Sequence, residues 1–384
     1  MSAARVPAPV LDVDALIDDR ATGIIVCCGA GGVGKTTTSA ALALRAAERG
    51  RTVVVLTIDP ARRLAQSMGI AELDNTPRPV EGVDPAAGGR LDAMMLDMKR
   101  TFDEVVESQA SPEKARQILD NPFYQVLSSS FAGTQEYMAM EKLGQIHAAA
   151  QADGTYDLIV VDTPPSRSAL DFLDAPERLS RFLDGRFIRL MLAPARGPAR
   201  LMTAGLGIVT SALTRILGAQ VLRDLQTFVA AIDTVFGGFR QRAQRTYALL
   251  QDEQTAFLVV AAPEPDALRE AAYFVERLGE DRMPLAGLVV NRASVAPAGD
   301  LSADEAAGAA ERLQRGGGGV DDHAPTAGLL RLHADQVRLV ERETRLRDGF
   351  AAAHPQVATT VVAALAGDVH DLVGLRRVGD LLAG

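Results

Sequence analysis

Cysteine is almost missing from this chain: two in 384 residues, the neighbours Cys27 and Cys28. An adjacent pair offers neither a disulfide framework nor a zinc spacing, which suits a reducing cytosol. Of the five histidines, His147, His323, His333, His354 and His370, none stands four residues from another, so no histidine metal site is expected. Positive charge is also in short supply. Lys and Arg total 40 against 49 Asp and Glu, a net charge of −9, so nucleic acid is not expected as a partner. Long apolar runs are lacking too. The longest uncharged stretch in the middle of the chain, Leu201 to Thr214, is too short for the ~20 residues of a bilayer span. Met1 to Arg20 is acidic and has no apolar signal core, which points to a cytoplasmic protein. No tandem repeat is present.

What remains has a globular balance: 47% hydrophobic and 23% charged residues, which excludes wholesale disorder. Five short, β-branched and nearly uncharged segments read as buried parallel strands. They are Gly23–Cys28, Thr52–Ile58, Leu158–Val161, Phe257–Ala261 and Leu285–Val290, with weaker candidates at Ala93–Leu96 and Thr359–Val362. Helical patterns at Thr37–Glu48, Ala267–Leu278 and Asp304–Gln314 lie between strands. The alternation predicts an α/β fold, a mostly parallel, doubly wound sheet flanked by helices. Asp74–Arg90 and Ala296–Gly328 read as loops, the second flexible near its Gly316–Gly319 run. Residues 1–20 read as an N-terminal arm to a single α/β domain over 21–384. The long gaps between strands call for a helical insertion at about 112–150 and 170–250.

The sharpest signal is Gly29-Ala30-Gly31-Gly32-Val33-Gly34-Lys35-Thr36, which fits GxxxxGK[ST]. Glycines let backbone N–H groups turn onto phosphate oxygens, and the following helix presents its positive end. Lys35 would hold the β- and γ-phosphates, and Thr36 would give a hydroxyl to Mg²⁺. The cofactors expected are therefore ATP and Mg²⁺. Asp162, closing the strand YDLIVVD, suits a water-mediated Mg²⁺ contact or an ordinary turn cap. Asp59, closing TVVVLTID, suits the orientation of a water in line with the γ-phosphate, or a helix N-cap with Pro60 in the first helical position.

The constellation resembles the family of the arsenite-pump ATPase and the targeting ATPase for tail-anchored membrane proteins, and within it an actinobacterial, anion-transporting-ATPase-like branch. These are P-loop NTPases of the deviant-Walker-A class. The likeness runs through Gly29–Thr38 (GAGGVGKTTT), Thr57–Ala65 (TIDPARRLA), Val160–Leu173 (VVDTPPSRSALDFL), Ala261–Leu278, Leu288–Arg292 (LVVNR) and Leu365–Leu375 (LAGDVHDLVGL). It implies a dimer with two nucleotides at its interface, closed by ATP. It assigns Asp59 to water positioning, Asp162 to the Mg²⁺ shell, Thr37 to the α-phosphate and Asn291 to adenine. Gly29, Ala30, Gly31, Gly32, Val33, Gly34, Lys35 and Thr36 make the phosphate cradle.

The sequence departs from that family at Ala30. The resemblance implies a second, signature lysine there, one that crosses the dimer interface to the partner's nucleotide. A trans-acting cation of this kind is worth ~10³–10⁵ in rate. Three consequences are open: slow hydrolysis, substitution by Arg62, Arg63 or Arg167, or pairing with a lysine-bearing paralogue. The last is the favoured expectation. The insertion also carries no cysteine, which weakens an arsenite role.

Phe187–Phe239, with Phe131, Tyr137, Met138 and Met140 upstream, is rich in Met, Leu, Ile and Val with interspersed arginines. As an exposed surface it would suit a hydrophobic membrane-protein client or a peripheral contact with anionic lipid; as core it is ordinary helix packing.

Overall fold

The computed structural model describes residues 9–59, 63–122, 124–125, 134–163, 239–315 and 323–384. Eight strands form one sheet. They are β1 (Ile24–Gly29), β2 (Thr52–Thr57), β3 (Arg78–Pro79), β4 (Arg90–Met95), β5 (Leu158–Asp162), β6 (Thr255–Ala261), β7 (Leu285–Ala293) and β8 (Thr359–Ala363), in the order β3-β4-β2-β5-β1-β6-β7-β8. Every pairing is parallel except β3 on β4. The central strands β1, β5 and β6 are buried along their whole length, which is why they read as unbroken apolar runs rather than alternating ones. β1 lies mid-sheet, and the chain leaves it to β2 on one side and later fills β6 on the other. Ligands bind at such points, beyond the carboxyl ends of the strands.

Both weak strand candidates are real: β4 takes in the first up to Met95 and begins three residues earlier, and β8 covers the second. The helices are α1 (Val13–Asp18), α2 (Lys35–Glu48), α3 (Arg63–Ser67), α4 (Met98–Gln109), α5 (Pro112–Leu119), α6 (Thr134–Asp153), α7 (Phe239–Leu250), α8 (Pro265–Glu280), α9 (Ala303–Arg315), α10 (Ala324–Ala353) and α11 (Leu372–Ala383). The interval 296–328 is helical on both sides of its glycine run rather than one loop. Inside it α9 starts at a capping box: Ser302 Oγ accepts from the Glu305 N–H, and Glu305 accepts from the Ser302 N–H and hydroxyl. Asp304 and Glu305 in its first turn and Arg312 and Arg315 in its last oppose the helix dipole.

Met138 and Met140 on α6 are fully buried, so they belong to the core and not to an exposed apolar surface. α6 packs against both α4 and α7, which leaves that face no solvent. Salt bridges tie it down at both neighbours, Lys142 to Glu104 at 3.0 Å and Arg242 to Glu141 at 2.9 Å. Phe131 and Phe187–Phe239 lie outside the described residues, as do Arg62, Arg167, Gly316–Gly319 and the side chain of Tyr137. Among the described residues no helix is long and apolar enough to cross a membrane.

Within the span set apart as an N-terminal arm, α1 buries Val13 and Ile17 completely, and Val10 bridges Thr359 beyond β8. Arg51, the largest fully buried side chain, fastens this segment. Its guanidinium donates to the carbonyls of Ile17 (3.0 Å), Asp19 (3.0 Å), Thr22 (2.8 Å) and Asp157, and to Asp157 Oδ1 (2.9 Å). Removing the donor strands several buried carbonyls at once. Arg51→Ala is expected to lower unfolding free energy by about 3–5 kcal/mol in a urea titration. A loss below about 1 kcal/mol would show that water replaces the guanidinium at no cost.

Candidate functional site

The turn after β1 is shaped by backbone, not side chains. Gly29 ends the strand at φ 147°, where a Cβ would stand 2.1 Å from the Val260 carbonyl oxygen. Gly34 caps α2 at φ 95°, where a Cβ would stand 2.2 Å from Asn291 Nδ2. Neither site tolerates a side chain. Among the described residues, the N–H groups of Gly31, Gly32, Val33 and Gly34 donate to no protein acceptor, and α2 begins immediately behind them. Unpaired loop amides backed by a helix N-terminus form an anion cradle.

Lys35 is buried at the first position of α2 and donates to the Ala30 carbonyl at 2.7 Å, so its chain is folded along the loop. Burial lowers its pKa, opposed by the nearby Asp162, Cys28, Asp59 and Cys27. Thr36 Oγ1 donates to Asp162 Oδ2 at 2.7 Å. Thr57 Oγ1 donates to the same oxygen at 2.8 Å and accepts the Asp59 N–H at 3.2 Å. Thr57 was not among the residues the sequence singled out. Its signal was present, since it stands two positions before Asp59 near the end of the same strand.

Asp162 is completely buried, and its Oδ1 has no hydrogen-bond partner. Burial pushes its pKa from 3.8 to about 6, against the pull of the Thr36 and Thr57 hydroxyls and of Lys35. A buried, unpartnered carboxylate oxygen beside a threonine hydroxyl is a donor set of hard oxygens, which fits Mg²⁺.

A cleft of about 1140 Å³ opens over the loop. Gly32, Gly34, Lys35, Thr36, Thr37, Asp59 and Asn291 line it, so seven of the predicted residues meet there. Gly29, Ala30 and Val33 lie behind the lining in the hydrophobic core or its edge, while Asp162 stands beneath Thr36. The far wall is the segment from Val362 to His370, which includes the whole of the LAGDVH stretch. Arg63 lines the cleft, alone among the three arginines proposed to replace the missing lysine that falls within the described residues. Arg292 also lines it and was missed. Asn291, expected at adenine, donates from Nδ2 to the Val33 carbonyl at 2.8 Å. Cys27 and Cys28 are both buried core residues, and burial raises both thiols, Cys27 to about 12.

The sheet order, the loop and the cleft above them define a P-loop ATPase. The family model described as anion-transporting ATPase matches residues 22–307. The chain belongs to that family. It is 26% identical to the ATPase ARSA1 of Chlamydomonas reinhardtii over 75% of this chain and 39% of that protein. It is 26% identical to the ATPase GET3 of Podospora anserina over 73% of this chain and 76% of that protein. It is 27% identical to an ATPase ASNA1 homolog of Cryptosporidium parvum over 69% of this chain and 63% of that protein. The chain thus spans well under half of the algal relative and about three quarters of the fungal one.

The Asp162 environment sets a pH dependence. Its folded pKa is raised above the ordinary value of 3.8, so the contribution to stability is full below 3.8 and is lost as pH rises through about 6. Without metal, Asp162→Asn is expected to stabilise the protein by about 3 kcal/mol at pH 8, with the gain vanishing at pH 4. Thermal unfolding of both proteins in EDTA across that range checks it, and a gain that does not depend on pH would refute the assignment.

Proposed function

We propose that this chain is a Mg²⁺-dependent ATPase that uses ATP binding and hydrolysis to switch a dimer between open and closed states, and so handles a hydrophobic membrane-protein client. The observation that carries this reading is the convergence of Lys35, Thr36, Thr37 and Asp59 on one cleft, with Asp162 directly beneath. In it the loop amides and Lys35 hold the β- and γ-phosphates, and Thr37 meets the α-phosphate. Thr36 and Asp162 hold Mg²⁺, which neutralises phosphate charge. Asp59 orients the attacking water. The Thr57 hydroxyl joins Asp59 to Asp162, so a change in the phosphates is felt along both β2 and β5.

The same reading takes residues 21–384 as one ATPase domain, with its helical insertion at about 112–150 and 170–250 serving the client. The client, like a peripheral membrane contact, rests on the composition of Phe187–Phe239 and on the family resemblance. The protein acts in the cytoplasm as a homodimer, or as a heterodimer with a related ATPase subunit.

A second reading is favoured by Ala30, only 9% exposed and unable to supply a cation. In it the chain is a low-turnover regulatory subunit whose site is completed by a lysine-bearing paralogue. The family description equally suits the energising subunit of an anion efflux pump. ATPase assays of the chain alone and mixed with such a paralogue separate the readings. Stimulation only in the mixture supports the heterodimer, and full activity alone supports the first reading.

For either active form, Asp59→Asn is expected to slow hydrolysis by about 10²–10⁴-fold while ATP affinity changes little. Single-turnover kinetics and calorimetry test this. Undiminished hydrolysis would remove Asp59 from the chemistry.

A further inference from the structure

β7 does more than border the cleft. Its last residues reach back to the phosphate loop at two successive peptide groups. Asn291, 7% exposed, donates from Nδ2 to the Val33 carbonyl at 2.8 Å. Arg292 donates from Nη1 to the Gly32 carbonyl at 3.0 Å. The Asn291 orientation is set by chemistry, because its own carbonyl oxygen turned on the Val33 oxygen would pair two acceptors.

A peptide group is planar and trans, so its C=O and N–H point in opposite directions. Drawing the Gly32 carbonyl toward Arg292 turns the Val33 N–H the other way. Drawing the Val33 carbonyl toward Asn291 does the same to the Gly34 N–H. These are two of the amides that lack a protein acceptor. We infer that Asn291 and Arg292 form a clamp that aims the phosphate-loop amides in advance, acting as positioning residues for the anion site.

Two further observations support the clamp. Arg292 holds φ 61°, and the only other described non-glycine residue with positive φ is Arg282. A non-glycine residue in that region is strained, and the surroundings must hold it there. They do so on both sides: Asn291 is tied to the loop, and Ser294 donates through its N–H (2.7 Å) and hydroxyl (2.8 Å) to the buried Glu343 carboxylate on α10. The fit is also tight enough to exclude any Cβ at Gly34, whose neighbour would be Asn291 Nδ2 itself. An alanine at Gly34 would therefore break the clamp as well as strain the loop.

The clamp rests on the phosphate-binding reading, and it makes a prediction that recognition of a base does not. A base-reading asparagine is irrelevant to a ligand with no base. Asn291→Ala and Arg292→Gly are the variants, the second keeping a backbone that accepts positive φ. The probe is Mg²⁺ with inorganic tripolyphosphate, measured by calorimetry beside Mg²⁺ with ATP. Each variant is expected to bind both ligands about tenfold more weakly, with their ratio unchanged. Backbone 15N relaxation of the protein without any ligand is the second readout. Amides of residues 31–35 should lose order in the variants, while those of β1 and β5 keep wild-type order parameters.

Wild-type tripolyphosphate affinity together with unchanged loop order parameters would overturn the clamp. A loss confined to ATP, with ATP-over-GTP preference abolished in Asn291→Ala, would assign Asn291 to the base instead. A wild-type protein that binds neither ligand would sink the nucleotide reading, whereas loop order in the same variants would still decide the clamp.

Discussion

The structure turns on how a few peptide groups face. Successive backbone amides of a tight turn can pack closely around an anion, and the turn offers them only if its carbonyls face elsewhere. Here the carbonyls of Ala30, Gly32 and Val33 are taken by Lys35, Arg292 and Asn291. The residues that hold them come from the helix after the loop and from the end of β7, far away in sequence. The parallel sheet makes this possible. It brings the carboxyl ends of β1, β2, β5 and β7 to one edge, so chemistry written on separate strands arrives in a single cleft.

Below the loop, the acidic centre obeys the opposite constraint. Asp162 is buried, and an ionised carboxylate there is costly unless its oxygens are satisfied. Two threonine hydroxyls satisfy Oδ2, and Oδ1 is left without a hydrogen-bond partner. An ionised Asp162 therefore costs stability, a common arrangement where stability is given up for function. Thr57 then extends the acidic centre to the backbone of Asp59, so the loop that reaches the phosphates and the residue beneath them are mechanically one unit.

Around this centre the periphery is fastened by charge-assisted contacts. Glu48 on α2 accepts two bonds from Arg376 on α11, and Arg45 pairs with Asp14 and Asp380. These pairs are partly exposed and contribute little each. Their effect is to dock both ends of the chain on α2, the helix that carries Lys35 and Thr36. The Ser294–Glu343 contact does the same for the end of β7 and the long helix α10.

The strand segments, the phosphate loop and both catalytic-edge aspartates could be read from the chain because each is a local pattern: an apolar run buried on both faces, a glycine spacing, a carboxylate closing a strand. Helix α9 matches the pattern at Asp304–Gln314, whereas α10, beyond the glycine run, was not anticipated. Arg292 and Thr57 were not singled out, because their partners, Gly32 in the loop after β1 and Asp162 on β5, are distant in sequence. Asn291 was seen, yet its bond to Val33 was not. Local pattern decided that Gly29–Thr36 would form a glycine-rich loop between β1 and α2. Tertiary structure alone decided which side chains turn the loop carbonyls away and which hydroxyls share Asp162, because hydrogen bonds between distant strands depend on sheet order, and sheet order is set by packing rather than by neighbours in sequence.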